Sequence, residues 1–184
     1  MRLRKTINLG LCLGLLLAAG SGLAQTPRPP TEYQIKAAML FNFAKFIDWP
    51  PESLGDDKAP FVIGILGDNP FGDDLVQTVA GKKVNDHSIS VQTFRKVADA
   101  THCQILFISK SEKKQFADIL LSLHDYAVLT VSQTDGFMEA GGMVNLVLDP
   151  ASRKIRFQIN AEAAKAARLK VSSKLLNVAI PAGH

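Results

Sequence analysis

The chain has 184 residues, 47% of them hydrophobic, with 21 basic against 17 acidic side chains, a formal charge of +4 and two cysteines. That length fits one domain with a proper hydrophobic core, and so few cysteines exclude a disulfide-stapled scaffold. Three of the basic residues, Arg2, Arg4 and Lys5, sit at the very start, so the remaining charge is close to balanced and offers no electrostatic footprint for nucleic acid.

Residues 1–24 read as a secretory signal peptide: a basic start, an apolar run over 7–19, then small residues ending Gly22-Leu23-Ala24, with cleavage expected after Ala24. The apolar run is short for a bilayer span. Processing there leaves 160 residues, a formal charge of +1 and Cys103 as the one cysteine. An internal disulfide is then impossible, and Cys103, inside the apolar run Cys103-Gln-Ile-Leu-Phe-Ile108, reads as a buried thiol, with an intermolecular disulfide as the alternative.

Residues 25–30, QTPRPP, read as a disordered proline-rich lead. The stretch 32–51, EYQIKAAMLFNFAKFIDWPP, predicts an amphipathic helix closed by Trp49-Pro50-Pro51, because a proline pair cannot continue the hydrogen-bond ladder. At 100° per residue, Tyr33, Ile35, Met39, Leu40, Phe43, Phe46 and Ile47 gather on the inner side, with Gln34, Asn42, Lys45 and Asp48 opposite. Thr31 is positioned to cap the first turn, and Glu32 and Lys36 form an i,i+4 pair. Two residues break the pattern: Phe41 projects among the polar side chains and Lys36 into the apolar arc. Phe41 covered by another loop, with Lys36 snorkelling at the helix end, is one reading. The other is a partner-binding edge with Lys36, Phe41 and Lys45, Phe41 being its anchor.

Beyond this helix, 61–66 reads as a buried strand that ends in the turn Gly67-Asp68-Asn69-Pro70-Phe71-Gly72, followed by a helix over 73–79. Strands are expected at 88–94, 105–108 and 126–131, and a helix at 111–123 with Ser111 as its cap. Residues 143–148 and 154–159 flank Asp149-Pro150-Ala151-Ser152-Arg153 and predict an antiparallel hairpin at a sheet edge. Short helices at 161–167 and 172–179, the second capped by Ser172, close the chain. Apolar strands alternating with helices predict a single α/β domain: a mainly parallel sheet flanked by helices on both faces.

Chemistry is sparse. His87, His102, His124 and His184 lie in different segments, none at helical spacing from a carboxylate or another histidine, so no metal or cofactor is expected. Ser109 has no sequence-evident base, and no G-x-S-x-G elbow exists. Two glycine-rich turns remain, since ligands of open α/β sheets bind beyond the carboxyl ends of strands. Tight-turn geometry accounts for their glycines; any small-molecule site would involve Asp68, Asn69, Phe71, Gly141 and Gly142.

Several stretches taken together carry a resemblance: Lys36-Ala37-Ala38, Phe43-Ala44-Lys45-Phe46 with Trp49-Pro50, the turn Leu66 to Gly72, Gly141-Gly142-Met143-Val144-Asn145, Phe157-Gln158-Ile159-Asn160, and Leu169-Lys170-Val171-Ser172-Ser173-Lys174-Leu175-Leu176. In this order the chain resembles the YfiR-like family over residues 31–181. The resemblance implies a periplasmic, non-catalytic regulator that binds the periplasmic sensory domain of an inner-membrane diguanylate cyclase and holds it inactive, lowering cyclic di-GMP signalling and biofilm formation. It also implies sequestration by an outer-membrane peptidoglycan-binding lipoprotein, and a homodimer is expected. A disulfide between the first strand and a cysteine placed like Cys103 belongs to the resemblance too, but Gly64 stands at the matching position here, so redox control is not expected. The alternative is a periplasmic solute-binding protein with a cleft near Asp68 and Gly142. A hydrolase, third, would need His102 or His124 beside Ser109 and a carboxylate.

Overall fold

The computed structural model describes residues 28–56 and 58–181. The leader expected at 1–24 and the first part of the proline-rich lead lie outside the described residues.

Helix α1, Glu32–Phe46, starts at a capping box: the Thr31 hydroxyl accepts from the Gln34 N–H at 3.2 Å, and the Gln34 side chain accepts from the Thr31 N–H at 3.0 Å. Two otherwise orphan donors are thereby satisfied. The helix ends short of the proline pair, where the backbone turns extended at Ile47 into strand β1, Ile47–Asp48. This strand pairs antiparallel with β9, Lys170–Val171, and makes a separate two-stranded sheet.

The main sheet has seven strands: β2 (Phe61–Leu66), β3 (Lys83–Val84), β4 (His87–Phe94), β5 (Ile105–Ile108), β6 (Leu129–Ser132), β7 (Val144–Leu148) and β8 (Ile155–Ile159), in the order β3-β4-β2-β5-β6-β7-β8. The five central strands are parallel, and β3 and β8 pair antiparallel at the two edges. The mainly parallel sheet and the terminal hairpin therefore match the sequence expectation. Every residue of β2 and β5 is buried, as a strand covered on both faces requires.

Each face has its own core. On one side Ile63, Ile65, Phe107 and Val131 pack under α1, helix α2 (Asp74–Val79), helix α4 (Ala161–Ala166) and helix α5 (Ser173–Val178). On the other, Val62, Leu66, Leu106 and Ile108 pack under helix α3 (Phe116–Ser122) and Phe137. Fully burying each such side chain contributes about 1.5–3 kcal/mol before entropy is counted.

Three local expectations change. The buried stripe of α1 is Lys36, Ala37, Leu40, Phe43 and Ala44, while Phe46 is 37% exposed. Leu40 and Phe43 of the expected inner side are fully buried and Tyr33 and Met39 partly so, while the small Ala37 and Ala44 share the buried stripe and turn it away from Phe46. Residues Lys110–Gln115 form a 3-10 turn before α3, and Ser111 does not cap it. Strand β6 begins at Leu129, and Tyr126 is 44% exposed in the preceding turn. At the far end, Ser172 does cap α5, accepting from the Leu175 N–H at 3.3 Å.

Candidate functional site

Helix α1 carries all three residues expected at a partner edge, and they differ in surroundings. Lys36 is 5% exposed. Its ammonium donates to the Glu32 carboxylate and the Gln133 side-chain carbonyl, and lies 5.0 Å from the Tyr33 ring centre. Gln133 in turn donates to the Tyr33 hydroxyl at 3.1 Å. Lys36 thus does not snorkel to the surface; its charge is held inside by a carboxylate and an amide, which a buried ammonium requires.

Phe41 is half-buried against the core, with the Lys82 ammonium 4.5 Å and the Lys45 ammonium 5.6 Å from its ring centre. Lys82 follows α2, so the ring sits where α1 meets α2, clasped by two cations. Between Phe41 and Phe46 runs the exposed face of α1, with Ala38, Asn42 and Lys45 open to solvent. Phe46 borders an apolar groove of about 320 Å³ whose walls include Met39, Phe157, Leu175 and Val178. Phe46, expected on the inner side of the helix, instead opens this side of the surface.

The turn 67–72 sits at the carboxyl end of β2. Asn69 spends its side chain on the turn, accepting from the Phe71 N–H at 2.9 Å and donating to the Gly72 carbonyl at 3.2 Å. Phe71 is a core ring, 3% exposed and edge-on to Tyr33 and Phe107 at 5.6 and 4.9 Å. Asp68 is exposed, like Asn69, and its N–H donates to the Ser111 hydroxyl at 3.1 Å. Ser111 and Glu112 crowd Gly67 as well: a Cβ there would lie 2.3 Å from the Ser111 hydroxyl. They fill the crevice between β2 and β5, the switch point where the crossovers reverse direction and a doubly wound sheet usually holds its ligand.

Gly141 and Gly142 precede β7, at the amino end of the parallel strands. The Asp68 and Gly142 turns therefore lie at opposite ends of the sheet and form no common cleft, contrary to the expectation. Gly142 has a packing role: a Cβ would fall 2.3 Å from the Phe137 ring.

Among the described residues the ionisable groups build no hydrolytic constellation. His102 precedes β5 and Ser109 follows it, so they stand at opposite ends of one strand, and His124 pairs with Asp125 in the open at 3.1 Å. Among the described residues no group of three or more His, Cys, Asp and Glu side chains could hold a metal. Burial pushes the Cys103 thiol up to about 12, and its Sγ donates to the Ala100 carbonyl at 3.0 Å. Ser152 and Ala151 donate to the Asp149 carboxylate in the hairpin turn and hold its pKa below the ordinary range.

Two glutamines escaped the sequence reading. Buried Gln104 accepts from the Val62 N–H at 2.6 Å and donates to the Ser53 carbonyl at 2.6 Å. Its backbone carbonyl receives the Trp49 indole N–H at 3.1 Å and the Leu129 N–H at 2.8 Å. Gln133 is the partner of Lys36. No periodicity marks either one; for Gln104 an amide between apolar residues was the available signal, and Gln133, between Ser132 and Thr134, had none.

The family model described as YfiR/HmsC-like (DUF4154) matches residues 33–180. The chain belongs to this family. Membership in the YfiR/HmsC-like family supports a periplasmic regulatory role at family level, and no helix among the described residues is long and apolar enough to cross a membrane. No curated protein matches the chain. Among solved structures it is similar to a conserved domain protein from Vibrio cholerae O1 biovar eltor str. N16961, with a TM-score of 0.56 and 11% identity. That alignment covers 82% of this chain and 60% of the other, and at such identity it concerns the fold alone. Gly64, expected at the position facing Cys103, does face it directly: a Cβ on Gly64 would lie 3.2 Å from the Cys103 Sγ. The thiol is free.

Proposed function

We propose that this YfiR/HmsC-like protein is a periplasmic regulator that binds the periplasmic sensory domain of an inner-membrane diguanylate cyclase and holds the enzyme inactive. The observation that carries the reading is the family match across 33–180. The exposed face of α1, bounded by Phe41 with its two lysines and by Phe46 with its apolar groove, is the docking surface this reading uses. An aromatic anchor ringed by cations suits a partner surface that is apolar at its centre and acidic at its rim. To repress, the protein must bind the inactive cyclase more tightly than the active one, since equal affinity would shift nothing. Sequestration by an outer-membrane peptidoglycan-binding lipoprotein, and a homodimer as the working form, belong to the same proposal.

The test is a pull-down of tagged mature protein from inner-membrane extract, paired with cyclic di-GMP measurements in cells lacking the gene. Recovery of a cyclase, together with cyclic di-GMP that rises on deletion and returns on complementation, is the expected result. Phe41→Ala is expected to restore neither binding nor repression while keeping the fold. Unchanged cyclic di-GMP in the deletion strain would sink the proposal.

A further inference from the structure

The carboxyl ends of β6 and β7 frame a groove of about 620 Å³ between α1 on one face and the turn Lys110–Gln115 on the other. We propose that this groove binds a small oxyanion, a free phosphate or carboxylate compound. It is a different place from the cleft expected between Asp68 and Gly142, and from the docking face of α1.

Three features of the groove point to an anion. Its wall contains three ammonium groups, Lys36, Lys110 and Lys113, against two carboxylates, Glu32 and Asp135. Glu32 is already taken by Lys36, while Lys110 and Lys113 form no ion pair among the described residues, so the charge left over in the concavity is positive. Lys36 is fixed rather than free: with its stem buried and its head held by Glu32 and Gln133, it offers a donor whose side-chain entropy is already lost. Thr134, also in the wall, is 5% exposed, and its hydroxyl has no hydrogen-bond partner. That oxygen is closed to solvent in this conformation; a buried hydroxyl without a partner is uncommon because its desolvation goes uncompensated, and a turn of the Thr134 side chain toward an entering anion would supply the missing bond. Charge-assisted bonds of this kind are the strong ones.

The location has its own logic. In a parallel sheet the space beyond the carboxyl ends of the strands is where ligands collect, and here the usual crevice between β2 and β5 is closed by Ser111 and Glu112. The next opening along the same edge is the one beside β6.

The experiment titrates the folded protein with inorganic phosphate and, separately, with succinate, both at constant ionic strength with chloride as control, and follows amide chemical shifts by NMR. Saturable shifts centred on Lys36, Gln133 and Thr134 are expected with at least one probe, and the stronger probe distinguishes phosphate from carboxylate chemistry. Replacing Lys110 and Lys113 together by alanine is expected to weaken that binding by roughly tenfold or more, without loss of fold because both side chains are exposed. Thr134→Val is expected to weaken it as well while leaving thermal stability in chloride unchanged. Absence of saturation by either probe up to about 10 mM, shifts confined to another surface, or binding that ignores both substitutions would overturn the proposal. Lys36→Met is left out of the decisive set because a failure to fold would mimic a failure to bind. The partner assignment plays no part in this experiment, so the two proposals can fail separately.

Discussion

The two ends of the parallel sheet use polar residues in opposite ways. At the amino end, Gln104 satisfies the Val62 N–H and the Ser53 carbonyl with its side chain, and its backbone carbonyl anchors the Trp49 indole and β6. Little is left over there, and the Trp49-Pro50 motif is thereby bolted to the sheet, with the indole edge-on to Phe61 at 5.0 Å. At the carboxyl end, Lys36 is buried with only partial company, and Thr134 holds an unsatisfied hydroxyl in the wall of a groove it shares with two lysines that form no ion pair among the described residues. Both ends contain buried polar groups, but only the first is saturated. Saturation marks a part of the molecule that holds the fold together, and its absence marks a part with capacity to bind.

The largest effects are expected at the saturated end. Gln104→Leu would leave the buried Val62 N–H and the half-buried Ser53 carbonyl without partners, a loss of about 2–4 kcal/mol. Urea unfolding followed by Trp49 emission, the sole tryptophan in the chain, measures this loss; a change below about 0.5 kcal/mol would break the contrast between the ends. Gly142→Ala comes next. Its Cβ would meet the Phe137 ring at 2.3 Å, and that ring is fully buried against Phe116 at 5.0 Å, so overpacking should cost about 1–3 kcal/mol. Gly67→Ala also needs left-handed backbone, at φ +84°, but it pushes against the movable tips of Ser111 and Glu112, and the expected loss is about 1–2 kcal/mol.

This contrast explains what the sequence reveals and what it hides. Strand β2 is legible because a fully buried strand is a short unbroken apolar run, and Thr31 and Ser172 are legible because caps are local. Wheel geometry places Leu40 and Phe43 in the core but leaves out Ala37 and Ala44, which gain their place by closeness of approach rather than size, and it turns Phe46 inward. What happens to Ser111 could not be read locally: its hydroxyl is claimed by Asp68, 43 positions away. The same applies to Lys36, whose partner Gln133 is 97 positions distant, and to the two glycine turns, whose separation depends on strand direction. Residues whose role is decided by neighbours in sequence are readable; those decided by sheet order are not.

Cys103 sharpens the comparison through pH. Burial raises the folded thiol to about 12 from an ordinary value near 9, so the folded state holds the proton more tightly than the unfolded one. The associated stability is fully present below about pH 9 and is lost as pH rises towards about 12. Denaturation midpoints should therefore fall over that interval, and Cys103→Ala should flatten the decline. Labelling of the native thiol by a thiol reagent should track unfolding; fast labelling of folded protein would mean that the amino end of β5 opens locally.

The smallest effect, and the most discriminating, belongs to Thr134. Valine has nearly the same shape as threonine, so Thr134→Val removes a polar atom and little else. At a saturated position that change strands a partner, but the Thr134 hydroxyl has none to strand. Stability in chloride should accordingly stay within about 0.5 kcal/mol of the parent or rise slightly, because the cost of holding an unpaired hydroxyl out of water disappears. Gln104→Leu and Thr134→Val both replace a buried polar group by an apolar one, at opposite ends of one sheet, and should differ by about 2 kcal/mol or more. A loss at Thr134 as large as that at Gln104 would mean that its hydroxyl is bonded in solution, and the contrast between the two ends would lose its main support.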